Sequence, residues 1–290
     1  MANDPRLTPA RGDVAARHLQ GVVAAERYVS GVEYQVVENA APLRQAPRPD
    51  APLLTQALYG ERVTVYDDNE GWAWGQLKGD GYVGYLPLHA LSPGLLTPTH
   101  RVRTLRTYIY PEPDIKTVPL DLLSMGSQLC AVSTKDRFTQ LDSGGFIYTD
   151  HIASTTEFDS DFVTVAEMFE GTPYLWGGKT SLGLDCSGLV QVSFAACGKA
   201  VLRDSDMMQE QLGIEIPLTP DGSGLERGDL IFWQGHVAIM CNETILVHAN
   251  GYHMTTVIEP FKSARDRIAG LFGEVSVIKR LLTSPPHPTV

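Results

Sequence analysis

A single cysteine stands in a setting that suits nucleophilic chemistry. Cys186 lies in the stretch GLDCSGLV, after an aspartate and directly before apolar residues at helical spacing. Asp185 is a good N-cap, so the pattern predicts a helix from Cys186 to Ala196 that Gly198 terminates. The free N–H groups and the dipole of the first helical turn favour a thiolate, and they can also hold an oxyanion. We therefore predict that Cys186 is a nucleophile whose pKa is lowered.

The other three cysteines carry no such signal. Cys130, Cys197 and Cys241 form neither a CxxC pair nor a disulfide framework, so the sequence favours packing roles for them. Packing alone is also the alternative interpretation of Cys186. Unpaired thiols are typical of a reducing compartment. Because the first residues also lack the basic and apolar pattern of a secretory signal, we expect a cytoplasmic protein.

Two histidines are candidates for the base that a thiol nucleophile needs. His236 opens the predicted strand HVAIM, and His248 lies in the next predicted strand, ILVHA. A turn with an odd number of residues, such as 241–243, would place them opposite one another on one face, as base and orienting partner. An even turn would separate them. His253 is the alternative orienting residue, and a two-ligand metal site is the alternative role of the pair. No cysteine or carboxylate has matching ligand spacing, so we expect no metal.

A tyrosine precedes the cysteine by 12 residues. Tyr174 lies in the loop TPYLWGG, which leads into the predicted helix. Its hydroxyl is placed to polarise the carbonyl of a scissile bond. Packing beside Trp176 explains the residue equally well, and both interpretations stay open.

Charge and hydropathy exclude some partners. The 290 residues include 23 Lys and Arg against 34 Asp and Glu, which gives a formal net charge of −11. Nucleic acids and anionic membranes both attract clusters of basic residues, so neither is expected as the main partner. No stretch has the roughly 18 consecutive apolar residues of a membrane span. The length is sufficient for two or three domains.

Ahead of the cysteine, the chain divides into three predicted segments. Residues 1–31 form a helical segment, in which apolar residues over 13–29 follow helical spacing. Residues 32–96 alternate polar and apolar over short runs and predict a small all-β barrel. Residues 97–156 repeat this pattern, with Gly145-Phe146-Ile147 lying 64 residues after Gly81-Tyr82-Val83. The repeat predicts two tandem barrels.

The remaining segment, 157–290, reads as an α+β domain. Helices are predicted over 163–170, 186–196 and 205–212, followed by the strands DLIFW, HVAIM, ILVHA and TTVIEP. A short helix and the run GEVSVIKRLL close the chain. This domain contains the candidate cysteine and both candidate histidines.

The motifs of this last domain resemble one known family. PYLWGGKTSLGLDCSGLVQVSF, RGDLIFW, HVAIM and ILVHAN are similar to the NlpC/p60 cysteine peptidases, papain-like enzymes that cut bacterial cell-wall peptides. The order Tyr, Asp-Cys-Ser-Gly, His, His agrees, with spacings of 12, 50 and 12 residues. The upstream repeats resemble bacterial SH3-like domains. The resemblance therefore implies two small all-β SH3-like barrels followed by an α+β papain-like catalytic domain.

The resemblance also implies roles for the catalytic residues. Cys186 would be the nucleophile and His236 the general base. His248 would orient His236, and Tyr174 would line the oxyanion side. The family mechanism uses no cofactor.

The two-barrel arrangement resembles the γ-D-glutamyl-L-diamino acid endopeptidases, which implies further substrate contacts. Asp185 and Ser187 would bind the free N-terminal amine of an L-Ala residue. A tyrosine of the first barrel, Tyr82 or else Tyr85, would close that subsite. Glu61 is the nearest candidate for an acidic barrel residue that some members contribute.

The expected substrate is a murein peptide such as L-Ala-γ-D-Glu-diaminopimelate, cut at the γ-D-glutamyl–diamino acid bond during recycling inside the cell. Three alternatives stay open. The protein is a wall lysin or amidase that its SH3-like modules anchor, an acyltransferase on the same fold, or a wall-binding protein without catalysis. The last of these has no need for the Cys-His-His set.

Overall fold

The computed structural model describes residues 4–219 and 222–281. The chain forms two compact units. The first comprises Met1–Asp159 and Leu175–Leu184, and the second comprises Ser160–Tyr174 and Asp185–Val290. Of the domain predicted over 157–290, residues 157–159 and 175–184 lie in the first unit. No helix within the described ranges has the length and apolar character needed to cross a bilayer.

The first unit is built from strands and short 3-10 turns. Its strands are β1 (Val14–Ala16), β2 (Arg27–Val29), β3 (Val32–Val36), β4 (Ala40–Arg44), β5 (Leu53–Leu58), β6 (Arg62–Asn69), β7 (Trp72–Leu77), β8 (Val83–Pro87), β9 (Leu91–Ser92), β10 (His100–Val102), β11 (Arg106–Tyr110), β12 (Asp121–Ser124), β13 (Gln128–Leu129), β14 (Ala131–Lys135), β15 (Phe138–Leu141), β16 (Phe146–Tyr148), β17 (Ile152–Ser154), β18 (Lys179–Thr180) and β19 (Gly183–Leu184). We name β3–β9 the first β region and β10–β17 the second β region.

The helix predicted over 13–29 is wrong. Strands β1 and β2 pair in parallel there, with a 3-10 turn at Arg17–Leu19 between them. Val14 is buried with Trp74 and Val83, and this contact with the first β region stabilises an extended conformation. Gly21 has a φ of 83°, which ends any right-handed helix at this point. Packing therefore outweighs the helical spacing of the apolar residues.

The first β region is one antiparallel sheet with the strand order β5-β4-β8-β7-β6-β3-β9. Alternate residues of its strands bury a core that includes Leu43, Val63, Leu77 and Leu86. The end strands β5 and β9 are not paired with each other in this order, so the sheet is open. The prediction of a closed barrel is therefore wrong for this region, which is an open sheet.

The second β region repeats the pairing pattern of the first. It has a three-stranded sheet, β13-β10-β17, and a five-stranded sheet, β12-β11-β16-β15-β14. Six strand pairs of the second region correspond one to one with six pairs of the first. In the second region they are β10–β13, β10–β17, β11–β12, β11–β16, β14–β15 and β15–β16. Their counterparts in the first region, in the same order, are β3–β6, β3–β9, β4–β5, β4–β8, β6–β7 and β7–β8. Its separate core includes Val102, Leu123 and Ile147. These sheets are also open.

Residues 175–184 belong to the first unit through specific contacts. Gly177 has a φ of 76°, and a Cβ there would lie 2.8 Å from the Leu53 carbonyl oxygen, so only glycine fits. The buried Lys179 ammonium lies 3.0 and 3.1 Å from the two carboxylate oxygens of Glu61. Lys179 N–H also donates to Gln56 Oε1 at 3.0 Å. A hairpin of β18 and β19 follows.

The second unit is an α+β domain, as expected. Its helices are α1 (Phe162–Glu167), α2 (Cys186–Ala196), α3 (Ser205–Gln211) and α4 (Phe261–Phe272), and its strands are β20 (Ile214–Ile216), β21 (Leu230–Trp233), β22 (His236–Met240), β23 (Ile245–Asn250), β24 (Thr255–Pro260) and β25 (Val277–Arg280). The sheet order is β20-β25-β21-β22-β23-β24. Helix α2 packs on β22 and β23, and this contact brings the cysteine end of α2 to the histidine strands.

Candidate active site

Cys186 is the first residue of α2, and it is buried at the capped start of the helix. Asp185 has an extended conformation, and its Oδ1 accepts the Gly188 N–H at 2.7 Å, which caps the helix as predicted. The side chain of Cys186 is buried, with 7% of the residue exposed. The backbone N–H groups of Val237 and Ser187 lie near its sulfur. Because Val237 follows His236 in β22, the sulfur lies at the start of that strand.

The predicted lowering of the Cys186 pKa is wrong. Burial, and then the charge of Asp185, raise the pKa of Cys186 to about 12. The Val237 and Ser187 N–H groups and the charge of Arg203 act in the opposite direction, with less effect. The start of the helix therefore does not outweigh desolvation, and the resting side chain is a thiol.

The two histidines lie on one face of the sheet and touch. His236 Nε2 is 2.8 Å from His248 Nδ1. Ile239 pairs with Val247 and Met240 with Leu246, so the two histidines are diagonal neighbours and not directly opposite. The turn has an odd number of residues, as the same-face interpretation requires, but it is centred one residue later than 241–243.

The shift in the turn has a local cause. The side-chain oxygen of Asn242 accepts the N–H groups of Thr244 and Ile245, at 2.9 and 3.0 Å. This bonding closes the turn around Glu243 and leaves Cys241 paired with Ile245. The parity of the turn is unchanged by the shift, so the faces of the strands are unchanged.

Both histidines are uncharged. Burial lowers the pKa of His236 to about 3, together with the repulsion that a protonated His248 would exert and the charge of Arg267. Burial also lowers the pKa of His248, although Glu259 opposes this effect. A neutral imidazole carries a lone pair, so His236 is able to accept the proton of a thiol.

His248 is held from behind by an ion pair that the sequence did not indicate. Its Nε2 lies 2.8 Å from Glu259 Oε1. Arg267 donates to Oε2 of the same carboxylate at 2.9 Å and to Oε1 at 2.5 Å. His253, the alternative orienting residue, instead contacts Asn250, whose Oδ1 accepts the His253 N–H at 2.8 Å.

Tyr174 lies close enough to the cysteine to interact with it. Its N–H donates to the Met254 carbonyl at 3.0 Å, which fixes the backbone of the loop. Burial raises the pKa of the Tyr174 hydroxyl, and the charges of Cys186 and Asp185 raise it further. The phenol is therefore neutral and able to donate a hydrogen bond, and its role at the oxyanion stays a prediction.

Asp185 and Ser187, the predicted amine-binding residues, share a buried arginine. Arg203 donates to both oxygens of Asp185, at 2.9 and 2.8 Å, and to Ser187 Oγ at 2.7 Å. Only 1% of Arg203 is exposed. The charge of Asp185 is thus already balanced within the second unit. No local pattern connects residue 203 to residue 185, so the sequence alone does not reveal the role of Arg203.

The substrate residues predicted from the first unit have partners within it. Tyr82 is 3% exposed and belongs to the core of the first β region. Tyr85 is partly buried, and its hydroxyl accepts a hydrogen bond from Arg11 at 3.1 Å. Glu61 pairs with Lys179, as described above. Their contribution to substrate binding stays a prediction.

Two families match the chain. Residues 171–266 match the NlpC/P60 family, and residues 43–91 match the bacterial dipeptidyl-peptidase SH3 domain. The first match includes the cysteine and both histidines that the structure assembles. Residues 171–266 therefore form an NlpC/P60 cysteine peptidase domain. The SH3 match lies wholly within the first β region, so the NlpC/P60 domain follows at least one SH3-like domain.

Curated relatives of this NlpC/P60 peptidase cover most of the chain. Dipeptidyl-peptidase 6 of Lysinibacillus sphaericus is 28% identical over 239 residues, which span 74% of this chain and 86% of the relative. A gamma-D-glutamyl-L-lysine dipeptidyl-peptidase of Bacillus cereus is 27% identical over 243 residues, which span 73% and 71% of the two chains.

A solved structure agrees with the fold of this NlpC/P60 peptidase. The crystal structure of an NlpC/P60 family protein from Bacillus cereus superposes with a TM-score of 0.72 at 22% identity. The likeness covers 87% of this chain and all of the other chain, 100%. It shows that the fold is shared beyond the catalytic domain.

Proposed function

We propose that this NlpC/P60 peptidase hydrolyses the γ-D-glutamyl–diamino acid bond of murein peptides that begin with a free L-Ala. The observation that carries the proposal is a buried thiol at the start of α2, near the backbone of Val237, which directly follows His236. His236 in turn contacts His248, and the Asp185–Ser187–Arg203 cluster adjoins the thiol in the chain. Relatives that cover most of the chain are named gamma-D-glutamyl-L-lysine dipeptidyl-peptidase, which supports this class of bond. The preferred diamino acid, diaminopimelate or lysine, is decided by the experiment below.

The neutral resting state determines how the reaction starts. Because Cys186 is a thiol and His236 an uncharged imidazole, the sulfur passes its proton to His236 as it attacks the γ-carbonyl carbon. The carbonyl oxygen gains negative charge, and the Tyr174 phenol donates a hydrogen bond to it. His236 then returns the proton to the diamino acid nitrogen, which leaves as an amine. Water, deprotonated by His236, cleaves the thioester and restores the thiol.

The amine end of the substrate is assigned to Asp185 and Ser187. An ammonium group carries three donors, and an acetylated terminus cannot supply them. Since Arg203 balances part of the Asp185 charge, we expect the weak end of such discrimination, about 1 kcal/mol, or roughly fivefold to tenfold in kcat/KM. Tyr82 or Tyr85 stays the proposed aromatic contact from the first β region.

We further propose that the enzyme acts in the cytoplasm on released peptides and so serves recycling. The second β region is proposed to be a second SH3-like domain, because its strand pairings repeat those of the matched first region. In a recycling enzyme these domains would restrict the substrate and would not anchor the protein to the wall.

The test uses L-Ala-γ-D-Glu-meso-diaminopimelate, the corresponding lysine peptide and the N-acetylated form of each, with products measured by mass spectrometry. Cys186→Ala is the inactive variant, and Cys197→Ala, at the other end of the same helix, is its matched control. Release of L-Ala-D-Glu mainly from the free-amine peptides, lost only in Cys186→Ala, supports the proposal. Equal cleavage of free and acetylated peptides contradicts the amine assignment and favours a wall lysin. Absence of cleavage contradicts the proposed substrate class.

A further inference from the structure

Glu259 and Arg267 extend the line of contacts behind His248, and they have no part in the mechanism so far. The carboxylate of Glu259 is 14% exposed, and it is flanked by His248 Nε2 on one side and the Arg267 guanidinium on the other. His248 is completely buried. The order of contacts is therefore Arg267, Glu259, His248, His236. The following inference rests on the proposed function, for which His236 is the base.

The ion pair determines which nitrogen of each imidazole carries hydrogen. Burial opposes ionisation of Glu259, but hydrogen bonds from His248 and Arg267 lower its pKa to about 2. An ionised carboxylate only accepts, so His248 Nε2 must carry hydrogen. Because His248 is neutral, its Nδ1 then holds a lone pair. His236 Nε2, at 2.8 Å, must donate to that lone pair, which leaves Nδ1 of His236 as the nitrogen that can take a proton.

Asn250 favours the opposite arrangement. Its side-chain nitrogen lies 3.0 Å from His248 Nε2. Its oxygen accepts the His253 N–H at 2.8 Å, which keeps the amide nitrogen directed at the ring. An amide nitrogen only donates, so it would favour a lone pair on Nε2 and hydrogen on Nδ1 of His248. His236 would then carry hydrogen on Nδ1, where a base needs a lone pair.

The charge of Glu259 decides between the two arrangements. A hydrogen bond to an ionised acceptor is roughly twice as strong as one between neutral groups. Arg267 holds both carboxylate oxygens, so the acceptor cannot turn away. We propose that Glu259, fixed by Arg267, is a positioning residue that sets the tautomer of His248 and, through it, leaves Nδ1 of His236 able to accept the cysteine proton.

Few other charged or titratable groups face this ion pair. His253 Nδ1 lies 4.0 Å from Glu259 Oε1, and the Arg267 guanidinium lies 4.7 Å from the ring centre of Tyr252. Around Cys186, the charged or titratable groups that affect its ionisation or are affected by it are Asp185, Arg203 and Tyr174. The Glu259 charge persists down to about pH 2, so the tautomer it sets should hold through the range in which a thiol peptidase works.

The test compares Glu259→Gln with Glu259→Asp, which keeps the charge, and with Asp266→Asn. Asp266 is the matched control because it is an exposed carboxylate on the same helix as Arg267 and pairs with Arg265. Nitrogen NMR of labelled imidazoles reads the tautomers directly. The rate at which iodoacetamide alkylates Cys186, followed from pH 5 to 9, reads how readily the thiol gives up its proton. Neither measurement needs a peptide substrate, so either can support the inference if the proposed substrate is wrong.

We expect Glu259→Gln to move His248 from hydrogen on Nε2 toward hydrogen on Nδ1 and to slow alkylation about tenfold. Glu259→Asp should restore most of the rate, and Asp266→Asn should equal wild type. Folding of each variant is checked by near-ultraviolet circular dichroism. Unchanged imidazole tautomers in a folded Glu259→Gln protein would overturn the inference, as would an unchanged pH profile of alkylation.

Discussion

The second unit contains two arginine–carboxylate pairs, one at each end of its reactive residues. Arg203 holds Asp185 next to Cys186, and Arg267 holds Glu259 behind the histidines. In each pair the guanidinium bonds both carboxylate oxygens. Their effects differ because the carboxylates face different groups. Asp185 raises the pKa of Cys186, whereas Glu259 accepts a hydrogen bond from His248.

Burial also separates the two pairs. The side chains of Arg203 and Asp185 are 1% and 10% exposed, whereas those of Arg267 and Glu259 are 19% and 14% exposed. A charge left without its partner costs more where water cannot reach it. The Asp185 pair therefore mainly stabilises the fold at the start of α2, whereas the Glu259 pair mainly has the proposed role of positioning His248.

The largest expected effect is the loss of one partner from the buried pair. Arg203→Met leaves the Asp185 carboxylate buried without its cation, so the free energy of unfolding should fall by about 3–5 kcal/mol. Urea unfolding measures the change. The double variant Asp185→Asn with Arg203→Met should lose clearly less than the sum of the single changes. Additive losses would mean that the pair is not coupled and would remove the basis of the comparison.

The histidines between the two pairs should make stability depend on pH. Their pKa values are lowered in the folded protein, to about 3 for His236. Below the usual histidine pKa of about 6.5, these histidines bind protons in the unfolded chain but not in the folded chain. The free energy of unfolding therefore falls as the pH falls. Between pH 7 and 4.5, wild type should lose about 1–2 kcal/mol more than His236→Gln, after allowance for partial exposure of the ring.

Unfolding free energies at the two pH values measure this difference. His89→Gln is the control, since the His89 side chain is 75% exposed. Its loss on acidification should equal that of wild type. An equal loss in His236→Gln would show that the pKa of His236 is the same in the folded and unfolded protein, contrary to the lowered pKa that burial produces.

The more exposed pair should tolerate the loss of its cation better. Arg267→Met should lower the free energy of unfolding by about 1 kcal/mol, well below the Arg203→Met effect. The pKa of Glu259 should rise from about 2 toward the usual value of about 4.3. Carboxyl NMR titration and urea unfolding measure both. A loss as large as that of Arg203→Met would mean that burial does not distinguish the pairs.

The smallest expected effect is also the sharpest test of the comparison. Asp185→Asn removes the charge that raises the Cys186 pKa and leaves Arg203 unbalanced, so alkylation of Cys186 at pH 7.5 should quicken about threefold to tenfold. Glu259→Gln should slow the same reaction. Peptide mass spectrometry reads each cysteine separately, and the buried Cys241 reports any general opening of the fold. A change in the same direction for both variants would contradict opposite roles for the two carboxylates.

Local signals explain what the sequence predicted well. The helix at Cys186 follows from its cap and apolar spacing, and α2 has the predicted bounds. The shared face of His236 and His248 depends only on the parity of one turn. Their exact pairing depended on the side chain of Asn242, which strand periodicity does not report.

The missed features depend on contacts between distant residues. The course of the chain after α2 brings Arg203 to Asp185, and no periodic sequence pattern predicts that course. Glu259 lies in the predicted strand TTVIEP, where a lone carboxylate on an apolar strand was the one available signal. The false helix near Val14 had suitable spacing, but its partners in the first β region are far away in sequence. The prediction of a lowered Cys186 pKa is wrong because a helix cap in the sequence does not indicate how deeply the thiol is buried.

The segment 175–184 has a consequence for how such a protein evolves. It ends two residues before Cys186 in the chain, yet Gly177 packs on Leu53 and Lys179 pairs with Glu61. A single recombination event between residues 156 and 160 would transfer the peptidase with this segment but without its partners. A transplanted domain would then carry a glycine without a close neighbour and a lysine without its carboxylate. Inheritance of the two units as one block is therefore favoured over shuffling of the catalytic unit alone.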